Sequence, residues 1–276
     1  MAEPVTPCEL NLVLAQFRHR SVGTIIVNGG DGTIRDVLSL MERHFGDDAP
    51  RLIVLPSGKT NALAHDLGIP ADFELQDALT LLPRMRVATR SPIEIHYQDG
   101  CHDNLRGFLL GTGAFVRATH LAQDLHRMGA FNGFAVGSSL AAGIVQSVFA
   151  RDTNDWRRGE EMVVQLGSEP AVGDRRYLFL ASTLQHLPSG IRPFGTGAPG
   201  MRVLSVTAPP RLLAIAAPIL LAGRYLVKLK ELGYQQCAVE SVRLTLDTEF
   251  ILDGEAFPGG DLTIKQGRPI TFLVPY

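Results

Sequence analysis

Lysine is scarce in this 276-residue chain: of 26 basic side chains only Lys59, Lys228, Lys230 and Lys265 are lysines. A basic surplus is lacking too. The formal charge of −2 argues against a dedicated nucleic-acid binder, because no basic surplus is available to neutralise phosphates. Cys8, Cys101 and Cys237 stand singly with no C-x-x-C pair, which leaves no disulfide framework and suits a reducing compartment. The eight histidines include no H-x-x-x-H pair and no His/Cys cluster, so no zinc site is expected. The opening MAEPVTPCEL lacks the basic-then-apolar build of a signal peptide, and a cytoplasmic location is the default.

Long apolar runs are few. The run 129–150 carries no charge but includes Asn132, Gln146 and several serines and glycines, which predicts a helix buried in protein rather than a membrane span. A second run, LLAIAAPILLAG (212–223), is too short to cross a bilayer and holds Pro218 in its middle. Arg211, Arg224, Lys228 and Lys230 flank it. A core helix with solvated ends and a surface segment dipping into a membrane, its basic heads at lipid phosphates, fit equally.

What is present divides the chain in two. From TIIVN to about residue 87, short apolar strands alternate with glycine-containing turns and helices, the pattern of a doubly wound α/β layer. In IRDVLSLMERHF, Ile34, Val37, Leu38 and Met41 share one helical face. The helix TNALAHDL is predicted to close at Gly68, before Pro70. From 88 to 276, many short strands separated by Gly, Pro and Asp turns predict an antiparallel, sandwich-like β-rich domain, with helical insertions near 116–150 and 210–232. The fold expected is therefore α/β: a small nucleotide-binding domain (1–87) followed by a larger β-rich domain (88–276).

Two turns carry the chemistry. In GGDGT, Gly29, Gly30 and Gly32 permit positive φ and leave backbone N–H groups free to face an anion, at the start of a helix whose dipole adds to the attraction. Thr33 offers a hydroxyl. Asp31 either manages a metal ion or phosphate, or simply caps a helix. In LPSGKTNALAHDLGIP, the Walker pattern fails because Ile53 stands where its first glycine is required. What remains is a second glycine turn, bringing Gly58, Lys59, Thr60 and Asn61 to a strand's carboxyl end, where open α/β sheets bind ligands. GTGAPG (195–200) matches G-x-G-x-x-G, but a strand follows it and it reads as a loop. Late in the chain, FILDGEAF puts Asp253-Gly254 in a tight turn before Glu255, which by itself is a hairpin with two acids.

GGDGT, LPSGKTNALAHDLGIP and the late LDGE, in this order and spacing, resemble the diacylglycerol kinase catalytic family, which includes bacterial lipid kinases and sphingosine kinases. The first motif is shared with NAD kinases; the late DGE favours the lipid kinases. The resemblance implies an α/β domain, a β-rich domain and an ATP cleft between them. It places Gly29, Gly30, Asp31, Gly32, Thr33, Asp36, Gly58, Lys59, Thr60 and Asn61 at the nucleotide, with Asp31, Asp253 and Glu255 as catalytic acids. It implies ATP and Mg²⁺ as cofactors, a lipid alcohol as substrate, and peripheral contact of 211–230 with the inner face of a membrane. Three departures are visible. No NP-x-SG loop precedes GGDGT, so the family's usual first strand and loop are expected to be missing. Lys59 and Ala62 replace the Thr and Asp of the bacterial GT-x-N-D loop, and SGKTNALA is closer to the sphingosine kinase style. GAPGMRVLSV stands in place of an acidic DG-x-LD loop, so that structural Mg²⁺ site is expected to be absent. A nucleotide- or lipid-binding relative without turnover, or a soluble-substrate kinase of the NAD kinase type, are the alternative readings.

Overall fold

The computed structural model describes residues 1–127, 155–195, 200–224 and 226–276. The uncharged run 129–150 and residues 196–199 of the GTGAPG stretch lie outside them. Thr6 caps the opening helix α1 (Pro7–His19), its hydroxyl accepting the Glu9 N–H at 3.2 Å. Then β1 (Thr24–Gly29), α2 (Asp31–Phe45), β2 (Arg51–Pro56) and α3 (Ala62–Leu67) follow the expected alternation. Ile34, Val37, Leu38 and Met41 form the buried face of α2, as the helical spacing requires. Strands β1 and β2 are parallel, with Thr24 opposite Arg51 and Gly29 opposite Pro56, so both glycine turns leave the sheet at the same end. Gly68 closes α3 at φ 73°, a conformation that favours glycine.

The small sheet is completed from outside the first 87 residues. After α4 (Leu75–Leu81), β3 (Arg86–Arg90) pairs antiparallel with the last strand, β15 (Ile270–Val274), and β15 lies parallel to β2. The order is β1-β2-β15-β3. A contiguous boundary at 87 thus falls inside β3, and the chain's end returns to the first sheet. Two arginines and a mostly exposed edge position made RVATR hard to read as a strand.

The remaining strands, β4 (Ile93–Tyr97), β5 (Leu105–Gly107), β6 (Leu109–Gly113), β7 (Glu160–Leu166), β8 (Val172–Ser182), β9 (Met201–Thr207), β10 (Tyr234–Val239), β11 (Ser241–Leu246), β12 (Phe250–Leu252), β13 (Glu255–Phe257) and β14 (Gly260–Gln266), form one large antiparallel sheet. Alternate residues such as Ile93 and Ile95, Met162 and Val164, Val242 and Leu244, and Leu262 and Ile264 point into a core enclosed by this sheet. Its opposite face shares a second core with the small sheet. Leu180, Leu204 and Val206 pack there in one cluster with Leu38, Ile53 and Phe272.

The apolar segment 212–223 forms a helix, Leu213–Leu221, whose Leu213, Ala216, Ala217 and Leu220 are buried in that shared core at helical spacing. Leu212 and Ile215 stay 59% and 61% exposed. Among the described residues no helix is long and apolar enough to cross a membrane.

Candidate active site

The two glycine turns touch backbone to backbone. A Cβ added at Gly30 would sit 2.9 Å from the Gly58 Cα, and one at Gly58 would collide with the Gly30 Cα. None of Gly29, Gly30, Gly32 and Gly58 has positive φ, so it is space, not left-handed backbone, that demands glycine here. This corrects the φ argument drawn from the sequence. Asn61, itself left-handed at φ 48°, folds back on its own turn: the Gly58 N–H donates to its Oδ1, and its Nδ2 donates to the Gly58 carbonyl, both at 2.8 Å.

Asp31 joins the turns. As the first residue of α2 it accepts the N–H groups of Ala62 (2.9 Å) and Leu63 (3.2 Å), which open α3. It is a cap, but of the neighbouring helix. Burial pushes its carboxyl above the usual carboxylate range, against those two N–H donors. Meanwhile Gly30, at the N-cap of α2, offers no side chain to cap it, so the first-turn N–H donors and positive dipole end of α2 have no side-chain cap. Thr33, Lys59 and Thr60 are exposed at the same turns.

The β-rich lobe meets this point through the β12–β13 hairpin. Asp253 and Gly254 both have positive φ (48° and 87°), forming the tight Asp-Gly turn that carries Glu255. Glu255 reaches across to α2. Its Oε1 lies 2.5 Å from where a Gly32 Cβ would be, and its Oε2 accepts from Arg35 Nη2 at 2.6 Å. Arg35 also donates to Asp36 Oδ1, at 2.7 Å from Nη2 and 3.1 Å from Nε, and lies 4.9 Å from the centre of the Phe257 ring. Its side chain is only 4% exposed. Burial opposes its charge, but Asp36 and Glu255 outweigh that and raise its pKa. Sequence reasoning passed over Arg35; its signal was the i, i+3 spacing from Gly32, which puts both on one face of the first turns.

Asp253 goes elsewhere. Its carboxylate turns inward and accepts N–H groups from Phe108 (3.0 Å) and Leu109 (2.9 Å), with Gly107 leaving the room it needs. Burial, reinforced by the charge of Asp31, pushes its pKa up to about 7 despite those bonds and Arg35. Asp31 and Asp253 line a common narrow gap with Ile34, Leu63 and Phe108. The structure therefore brings Gly32, Arg35, Asp36 and Glu255 together, with the two carboxylates partly exposed and the guanidinium buried, and turns Asp253 away from them. Among the described residues no group of three or more His, Cys, Asp or Glu side chains is gathered to hold a metal.

A small mixed sheet bearing two apposed glycine turns, completed by an acidic hairpin from a large antiparallel sheet, defines a two-lobed α/β class. Within it, residues 6–91 match the model of the diacylglycerol kinase catalytic domain, which is about a third of the chain. The "Probable lipid kinase YegS" of Shigella flexneri, and that of Escherichia coli O157:H7, are 45% identical to it over 55 residues. That stretch is 20% of this chain and only 18% of the length of each relative. A crystal structure of a diacylglycerol kinase from Bacillus anthracis superposes with a TM-score of 0.65 at 13% identity, covering all of this chain and 84% of the other. At that identity the likeness is one of fold.

Proposed function

We propose that this chain is an ATP-dependent lipid kinase that transfers the γ-phosphoryl group to the hydroxyl of a diacylglycerol- or sphingosine-like lipid. One observation carries the reading: Glu255, from the β-rich lobe, lies against Gly32 in the uncapped first turn of α2. ATP phosphates at that turn meet free N–H groups and the helix dipole, with Lys59 and Thr60 exposed on the adjoining turn. The acceptor hydroxyl oxygen attacks the γ-phosphorus, the bond to the β–γ bridging oxygen breaks, and its electron pair leaves with ADP. Glu255 takes the hydroxyl proton, and Arg35 holds its carboxylate in place.

The donors fit a Mg²⁺ ion carried in by the nucleotide rather than caged by protein. Asp36 and Glu255 are 44% and 57% exposed at the turn, while Asp31 and Asp253 are committed to backbone N–H groups. When bound, that ion supplies charge neutralisation at the phosphates. The names of the relatives, a lipid kinase and a diacylglycerol kinase, support a lipid acceptor. Exposed Leu212 and Ile215, flanked by Arg211, Arg224, Lys228 and Lys230, suit contact of 211–230 with the membrane that holds such a substrate.

The test is transfer of labelled phosphate from ATP to diacylglycerol, monoacylglycerol, sphingosine or ceramide. Glu255→Gln is expected to lower turnover at least 100-fold (roughly, on the scale of lost general-base catalysis) while ATP binding persists. Undiminished turnover in that variant removes Glu255 from the mechanism. ATP affinity with no transfer to any of the four lipids favours a binding relative without turnover, a reading supported by the commitment of Asp31 to capping α3.

A further inference from the structure

A second cleft lies at the opposite end of α3 from the Gly58 turn, about 9 Å away along the six-residue helix. It holds about 420 Å³, and is lined by His65 of α3, Arg86 and Arg90 of β3, and His186 and Arg192 from the segment after β8. Three arginines face a single carboxylate there, a surplus of two positive charges before either histidine is protonated.

That carboxylate, Asp66, is spoken for. Its side chain is wholly buried and accepts from Arg90 Nε at 2.5 Å and from the His186 backbone N–H at 2.6 Å. Arg90 Nη2 also donates to the Asp66 carbonyl at 2.9 Å. The pair is thereby neutral and ties the 185–192 segment to α3. Arg86 donates one N–H to the Leu67 carbonyl at 3.3 Å. Neither Arg86 nor Arg192 has a carboxylate partner among the described residues. Both are exposed and both line the one concavity, beside the fixed Asp66–Arg90 pair.

We infer that this cleft binds a phosphate group, carried by a lipid headgroup or by a small soluble ester, through Arg86 and Arg192. Two planar forks match a tetrahedral polyanion better than they match a single carboxylate. The cleft's net charge and concave walls concentrate anions from solution. Its volume accommodates a phosphorylated headgroup and exceeds what a bare ion needs. The site abuts the apolar helix: the Arg192 N–H donates to the Leu221 carbonyl at 2.8 Å, at the end of Leu213–Leu221. The assignment does not depend on the kinase reading, since it uses none of the residues around Glu255.

The test is a ³¹P NMR titration with glycerol 3-phosphate, with thermal unfolding run on each variant. Arg192→Gln and Arg86→Gln are each expected to weaken binding about tenfold, as the loss of one charge-assisted bond predicts. Arg268→Gln, outside the cleft, is expected to leave it unchanged. Arg192→Gln keeps the test decisive if Arg86→Gln perturbs folding, because the Arg192 guanidinium supports no buried acid. Flotation with phosphatidylcholine vesicles, with and without phosphatidic acid, separates the sources. Dependence on both phosphatidic acid and the two arginines assigns a lipid headgroup. Vesicle binding indifferent to the arginines, with glycerol 3-phosphate still dependent on them, assigns a soluble ester. Titration unaffected by either substitution, or lost in Glu255→Gln, overturns the site.

Discussion

Asp253 and Glu255 are the same chemistry two positions apart, and the fold gives them opposite fates. The left-handed Asp-Gly turn swings one carboxylate into backbone N–H groups and leaves the other partly exposed against Arg35. The inward one carries a pH signature. An aspartate ordinarily ionises near 3.8, and in the folded chain Asp253 is raised to about 7, by burial first and Asp31 second. Between those values only the folded state keeps the proton, so the associated stability is full below about pH 4 and declines as pH rises to 7. Urea unfolding at pH 5 and pH 8 is expected to show the wild type less stable at the higher pH, with roughly 2–4 kcal/mol from this group. Asp253→Asn, which tolerates the φ of 48°, is expected to remove most of that difference.

At the level of elements, the two glycine turns differ in what presses on them. Gly58 and Gly30 meet backbone to backbone, and neither main chain yields cheaply. Gly58→Ala is expected to destabilise the fold by about 2–3 kcal/mol in urea unfolding and to weaken ATP binding, because β1 and β2 hold the turns in place. A Cβ at Gly32 meets instead the Oε1 of Glu255, the end of a flexible side chain. Gly32→Ala is therefore expected to change stability by less than about 1 kcal/mol but to displace Glu255 and lower phosphate transfer about tenfold or more. A stability loss equal to that of Gly58→Ala would refute this distinction.

At the scale of the molecule, the lobes are joined by a shared core, by the returning β15 and by the Asp66–Arg90 pair under the 185–192 segment. Arg90→Gln strands a wholly buried carboxylate, and a loss of about 3 kcal/mol is expected in equilibrium unfolding. The apolar helix has two faces with separable consequences. Ile215→Glu, at a 61% exposed position, is expected to keep the melting temperature and lower vesicle co-sedimentation several-fold. Ala216→Glu, 1% exposed, is expected to unfold the protein by burying an unpaired charge. Equal vesicle binding by Ile215→Glu and wild type would separate this helix from the membrane.

Local patterns determined much on their own. Apolar spacing set the buried face of α2, Gly68 set the end of α3, and an Asp-Gly pair set the β12–β13 turn, because each depends on residues close in sequence. GGDGT and the late LDGE were visible as candidate chemistry for the same reason. Only the tertiary structure decided that Asp31 caps α3, that Arg35 holds Glu255, and that Asp253 serves the backbone at Phe108 and Leu109. It alone placed β15 between β2 and β3 and gathered Arg86 and Arg192 around one cleft. These pairings join residues tens to hundreds of positions apart. No local period or turn rule encodes such contacts; they follow from which faces the two cores bring together.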